Sequence, residues 1–172
     1  ESGPVTFTYP PMEVEDIGMI QPTGLMIGGH VTPIDHGYYS SKNWKSAVRE
    51  LKDFVDVLAP ADGMIMVGSM PKEFATSDIG DYRMTLYHTC TFYTIYIHVN
   101  QLSKKLQEVV DTGKKVKVFA GEVIGRAPGF DFSVHNLDVV LPGFVDPASY
   151  SVEDWKIHTV DMFEPFAEPL RS

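Results

Sequence analysis

Between Gly28 and Tyr39 the chain reads GGHVTPIDHGYY, which sets His30, Asp35 and His36 within seven residues, directly behind a glycine pair. Imidazole nitrogens and carboxylate oxygens are zinc donors, and a catalytic zinc needs three protein ligands plus an open position for water. Cys90 is the single cysteine of 172 residues, so a multi-thiolate site is excluded and any metal centre must draw on histidines and carboxylates. In a loop His30, Asp35 and His36 can all reach one point. In an extended strand Asp35 and His36 face opposite sides. The stretch reads also as a glycine-rich turn whose imidazoles bond backbone groups.

Four further histidines are spread along the chain: His88, His98, His135 and His158. His98 ends the aromatic run FYTIYIHV. Alternation there sets it opposite Ile97 and Val99, facing solvent or a cleft if those two face the core. Asp131 lies between Phe130 and Phe132 in GFDFSVHN, so inward phenylalanines place Asp131 and Ser133 on the other face. His88 and His135 also occupy strand positions and are candidates for supporting hydrogen bonds.

The elements that must position these groups are mostly strands. Prolines and glycines interrupt short apolar runs in residues 1–27, which predicts an extended arm with edge strands. SKNWKSAVREL, from Ser41 to Leu51, spaces Trp44, Val48 and Leu51 for one short helix. DVLAPADGMIMVGS offers two apolar runs hinged at Pro60–Gly63, and its Asp-Gly step predicts a hairpin. Tyr82–Val99 is dense in β-branched and aromatic residues, with a turn near Thr89–Thr91, and predicts a second hairpin. SKKLQEVVD reads as a short surface helix stopped at Gly113. Strand patterns return from Lys115 to Asn136. Residues 141–172, rich in proline, aromatics and acids, predict an extension that wraps the core. The sum is a mainly antiparallel β-domain over 28–140, with one or two small helices.

Hydrophobic residues make up 44% and charged residues 22%, as in a folded globular chain and unlike a disordered one. The net charge is −9 and the lysines are scattered apart from GKKVK at 113–117, which argues against nucleic acid as a partner. No stretch reads as a membrane span of roughly 18 apolar residues, or as a cleavable signal peptide. The start at Glu1 fits a processed, exported protein and fits a trimmed chain equally well, so an extracytoplasmic location is the expectation.

HVTPIDHGYY, VDVLAPADGMIMVGS, FYTIYIHVNQLS and KVFAGEVIGRAPGFDFSVHN, in that order, resemble the lysostaphin-type (LytM-like) zinc peptidase family across residues 28–136. The resemblance implies a β-sandwich or hybrid-barrel fold with a duplicated hybrid motif. It also implies zinc, held by His30 and Asp35 or His36 with Asp131, and His98 as the catalytic histidine that orients or deprotonates the attacking water. The chain departs from the family in two places. His30 and Asp35 are one residue further apart than the family's HxxxD, and the closing HxH motif is replaced by Gly129 and Asp131. An aspartate can ligate zinc, but glycine has no side chain to donate to an oxyanion.

The expected function is therefore a zinc hydrolase of peptide crosslinks in a cell-wall-type polymer. The alternative is an inactive metal- or cell-wall-binding regulatory module on the same fold. A biotinyl or lipoyl-type carrier, suggested by APADGMIMVGS, lacks the lysine at its hairpin tip. Oligomeric state is not readable from these residues.

Overall fold

The computed structural model describes residues 1–26, 33–44 and 51–171. Among the described residues, eleven short strands and one turn of α-helix follow in chain order: β1 (Ile17–Gln21), β2 (Gly37–Ser41), β3 (Val55–Leu58), β4 (Gly63–Ser69), β5 (Tyr82–Tyr87), β6 (Phe92–Val99), β7 (Gln101–Leu102), α1 (Lys104–Gln107), β8 (Val116–Val118), β9 (Val123–Ala127), β10 (Gly129–Asn136) and β11 (Thr159–Val160). The fold is mainly antiparallel β, a sandwich-like arrangement of two sheets. The larger sheet runs β1-β2-β10-β6-β5-β4-β8, with β11 added to β10, and the smaller runs β3-β9-β7.

The alternation of β10 shows how the sequence builds the sheet. Phe130, Phe132 and Val134 are buried, while Asp131 stands on the opposite face of a strand whose side chains change sides at every residue. Tyr96 on β6 and Tyr39 on β2 meet Phe130 and Phe132 as an aromatic cluster, with centroids 5.1–5.7 Å apart. Ile65, Met84 and Leu86 from the large sheet and Val57, Ile124 and Ala127 from the small one complete the core. The Tyr96 hydroxyl donates to the Leu58 carbonyl at 2.9 Å, tying the two sheets with the polar tip of an otherwise apolar ring. The two ends of the chain meet at Phe7, which pairs with Phe166 and is fully buried.

Tyr82–Val99 forms the expected hairpin, β5 against β6. Val55–Ser69 does not. β3 pairs with β9 in the small sheet and β4 with β5 and β8 in the large one, so the Pro-Ala-Asp-Gly turn carries the chain from one sheet to the other. Gly63 belongs there for its lack of a side chain, since a Cβ would come within 2.6 Å of Leu86 Cδ1 and of the Tyr87 carbonyl.

The second expected helix is shorter than its periodicity predicts. Ser41 closes β2, Leu51–Asp53 is a 3-10 turn, and residues 45–50 of the first expected helix lie outside the described residues. α1 stops after one turn. Beyond it Asp111 takes the left-handed φ of 58°, and its carboxylate receives the N–H and hydroxyl of Ser69 at 2.8 and 2.7 Å. That side-chain bonding draws the chain onto the end of β4 and away from a helical continuation.

Candidate functional site

β2, β6 and β10 lie side by side, and the face of this trio turned away from the core carries the polar groups. His36 precedes β2, Asp131 sits near the start of β10, and His98 sits near the end of β6. His98 reaches the same face as Ile97 through a β-bulge. The pairing of β5 with β6 slips between Tyr82–Val99 and Met84–Tyr96, and His98 has φ of 68°, a left-handed value that a non-glycine side chain rarely adopts. Strict alternation set His98 opposite Ile97; the bulge overrides it.

The result is a chain of five groups. His36 Nδ1 lies 2.9 Å from Asp35 Oδ1 and its Nε2 lies 3.4 Å from Asp131 Oδ2. On the other side of Asp131, His98 Nε2 is 3.8 Å from the same Oδ2, and His98 Nδ1 is 2.9 Å from Asp81 Oδ2. Carboxylate, imidazole, carboxylate, imidazole and carboxylate alternate from Asp35 to Asp81. Asp81 is buried and also accepts the Thr76 N–H at 2.6 Å and its hydroxyl at 2.9 Å. Asp35 accepts the Trp155 indole N–H at 2.9 Å, and the Tyr38 hydroxyl sits 3.2 Å from His36 Nε2.

The two acids respond in opposite directions. Burial pushes the Asp35 carboxyl up, but the hydrogen bond and charge of His36 and the Trp155 donor outweigh it and hold the carboxyl at about 2. Asp131 is raised, chiefly by burial, with the Asp81 and Asp35 carboxylates adding to it against the pull of His36 and His98. A groove of about 580 Å³ runs over these groups, bordered by Phe74, Ile97 and Trp155.

Of the sequence-predicted residues, Asp35, His36, His98 and Asp131 come together, while His30 lies outside the described residues. Sequence reasoning missed Asp81, Thr76, Tyr38 and Trp155. Asp81 and Trp155 are respectively 17 residues from His98 and 120 from Asp35, with no spacing signal to betray them. His88 and His135 stand apart from the cluster, on the Asp62 carbonyl and on Ser133 with the Trp155 carbonyl. Among the described residues no three His, Cys, Asp or Glu side chains are arranged to hold a metal ion. The Nδ1 of each imidazole in the cluster is turned to a carboxylate of the protein itself.

No family model matches the chain, and no curated protein does. Solved structures do. A chain of the SpoIIQ–SpoIIIAH pore-forming complex is similar with a TM-score of 0.61 at 12% identity, over 97% of this chain and 94% of that one. A chain from a crystal structure of the SpoIIIAH and SpoIIQ complex is similar with a TM-score of 0.52 at 14% identity, over 84% and 99%. At such identities the likeness is one of fold.

These neighbours correct the lysostaphin-type assignment. They come from complexes of two different proteins, and zinc-peptidase chemistry finds no three-donor set among the described residues. The expected crosslink hydrolase, and the inactive metal- or cell-wall-binding module put beside it, are not what these neighbours are, since both neighbours are chains of SpoIIIAH–SpoIIQ complexes. No helix of the described residues is long and apolar enough to cross a membrane.

Proposed function

We propose that the chain is a protein-docking module, part of a multi-chain assembly that works outside the cytoplasm. One observation carries this reading: the similarity to a chain of a pore-forming complex extends over nearly the whole of both chains, so the entire sandwich, and not a fragment of it, has the shape of an assembly component. A pore-forming complex acts at a membrane, and that supports the extracytoplasmic setting. Phe74, Phe119 and Val145 are large apolar side chains left on the surface, and they give three separate positions at which a docking contact can be detected.

The test is photo-crosslinking in the cells that make the protein, with the photoreactive residue placed in turn at Phe74, Phe119 and Val145. The expected result is one discrete adduct, the same protein from at least one position, which then binds the purified chain with a dissociation constant below about 10 µM, near −7 kcal/mol. No adduct at any of the three, or no binding by the purified pair, would overturn the docking role.

A further inference from the structure

We propose that the occupant of the docking surface is an extended, apolar protein segment carrying a lysine or arginine, which adds as a strand along β11. This rests on the docking role proposed above and names its partner's chemistry. β11 pairs with β10 through Val134–Val160 and His135–Thr159, and among the described residues it pairs with no other strand. A strand paired on one side presents main-chain donors and acceptors on the other, a template for a further strand.

That free side is not flat. A groove of about 840 Å³ lies against it, lined by Ile34, Leu141, Phe144, Tyr150 and Val160, large within the roughly 300–1,000 Å³ range in which proteins enclose ligand groups. Its shape is held from within, since Phe144 and Tyr150 meet edge to face at 4.8 Å. Alternate apolar side chains of an added strand would face this lining.

Charge selects the rest of the occupant. The groove is bordered by Asp146 and Asp161, and by Asp35, which is held by His36 and Trp155, against one cation, Lys156. The Lys156 ammonium is taken by Glu153 at 2.6 Å. In a chain of net charge −9, this border repels an acidic segment and favours a basic one.

The test uses the full chain and the peptide acetyl-Lys-Val-Thr-Val-Thr-Val-Lys-amide, followed by backbone amide shifts in NMR. Saturable shifts at Phe144, Tyr150, Thr159 and Val160 are expected. Replacing both lysines of the peptide by glutamate is expected to weaken binding about tenfold or more. N-methyl groups on one edge of the peptide should abolish binding, and the same groups on the other edge should leave it intact. Val145→Lys, at a fully exposed position where the fold is indifferent to the change, is expected to weaken the lysine peptide about tenfold. Shifts elsewhere, no saturation at millimolar peptide, equal binding of the acidic peptide, or indifference to which edge is methylated would each overturn the proposal. Self-association of the chain through the same residues would overturn it in favour of a second copy. Crosslinks from Phe74 or Phe119 with none from Val145 would keep the docking role and remove this groove from it.

Discussion

Two histidine sites share β10, four residues apart on one face, and they solve the same problem differently. At Asp131 the imidazoles of His36 and His98 lie between carboxylates, and burial still raises the Asp131 carboxyl against their pull. Among the described residues no carboxylate is hydrogen-bonded to His135, and the charge of Asp35 acts on it only from a distance. The ring is fully buried, its Nε2 lies 2.7 Å from Ser133 Oγ, its Nδ1 lies 3.0 Å from the Trp155 carbonyl, and it stacks on Tyr93 at 4.9 Å. With neutral partners burial wins, and the imidazole is pushed down to about 4. Since Nδ1 faces a carbonyl, it donates, which leaves Nε2 to accept the Ser133 hydroxyl. The chemistry of His135 is set by its burial and by what stands opposite its nitrogens, and the strand that carries it does not decide.

The largest expected effect comes from breaking the neutral site. His135→Ala removes a buried ring, leaves the Ser133 hydroxyl without its acceptor and leaves the Trp155 carbonyl only the Thr159 hydroxyl, at a cost of roughly 2–4 kcal/mol in chemical denaturation at pH 7.5. Its pH dependence sharpens the comparison. The folded state holds His135 at about 4 against 6.5 for the free side chain, so between these values the unfolded chain binds the extra proton. Stability is then lost as pH falls from 6.5 towards 4, by about 3 kcal/mol in all. His88, which burial also pushes down to about 4, acts in the same direction, so the variant should retain a shallower slope. An unchanged slope would mean that His135 is charged in the fold.

At the charged site the corresponding change is Asp81→Asn. One carboxylate there serves His98 and both donors of Thr76, and a neutral amide can accept for only part of that set. A loss of about 2 kcal/mol is expected, together with faster hydrogen exchange at the Thr76 amide. Equal exchange in the two proteins would show that Asp81 does not fix the 70–81 loop.

The alternation of GFDFSVHN was enough to place Asp131 and Ser133 on one face, because a strand's period of two leaves no other choice once its phenylalanines are buried. The β5–β6 hairpin was equally legible from its β-branched and aromatic residues. Local signals failed where distant partners decided. An Asp-Gly step looks the same whether it closes a hairpin or passes between sheets, and β3 takes its partner β9 from some 65 residues downstream. The orientation of His98 depends on a bulge fixed by β5, which no pattern within β6 reveals. Asp35 and His36 stood out by their spacing in the sequence, but their partners Trp155 and Asp131 are supplied by the tertiary fold.

Trp155 is where the two sites touch, and it allows them to be separated. Its indole N–H serves Asp35 in the charged cluster, while its main-chain carbonyl serves His135 in the neutral one. Trp155→Phe removes the first of these bonds and keeps the second. It also keeps an aromatic face beneath Arg83, whose guanidinium carbon lies 4.8 Å from the ring. The expected cost is the smallest of the three, about 1 kcal/mol. Asp35 should titrate above its present value of about 2, still drawn down by His36, and the His135 ring should titrate as before. Carboxyl and imidazole NMR titrations of the same sample read both groups. Because a lowered carboxyl stabilises the fold above its unfolded value of 3.8 and loses that contribution as pH falls through its folded one, the variant should also lose less stability on acidification below pH 4. A shift of His135 as large as that of Asp35 would join the two sites into one titrating unit, and the contrast between charged and neutral partners on β10 would no longer hold.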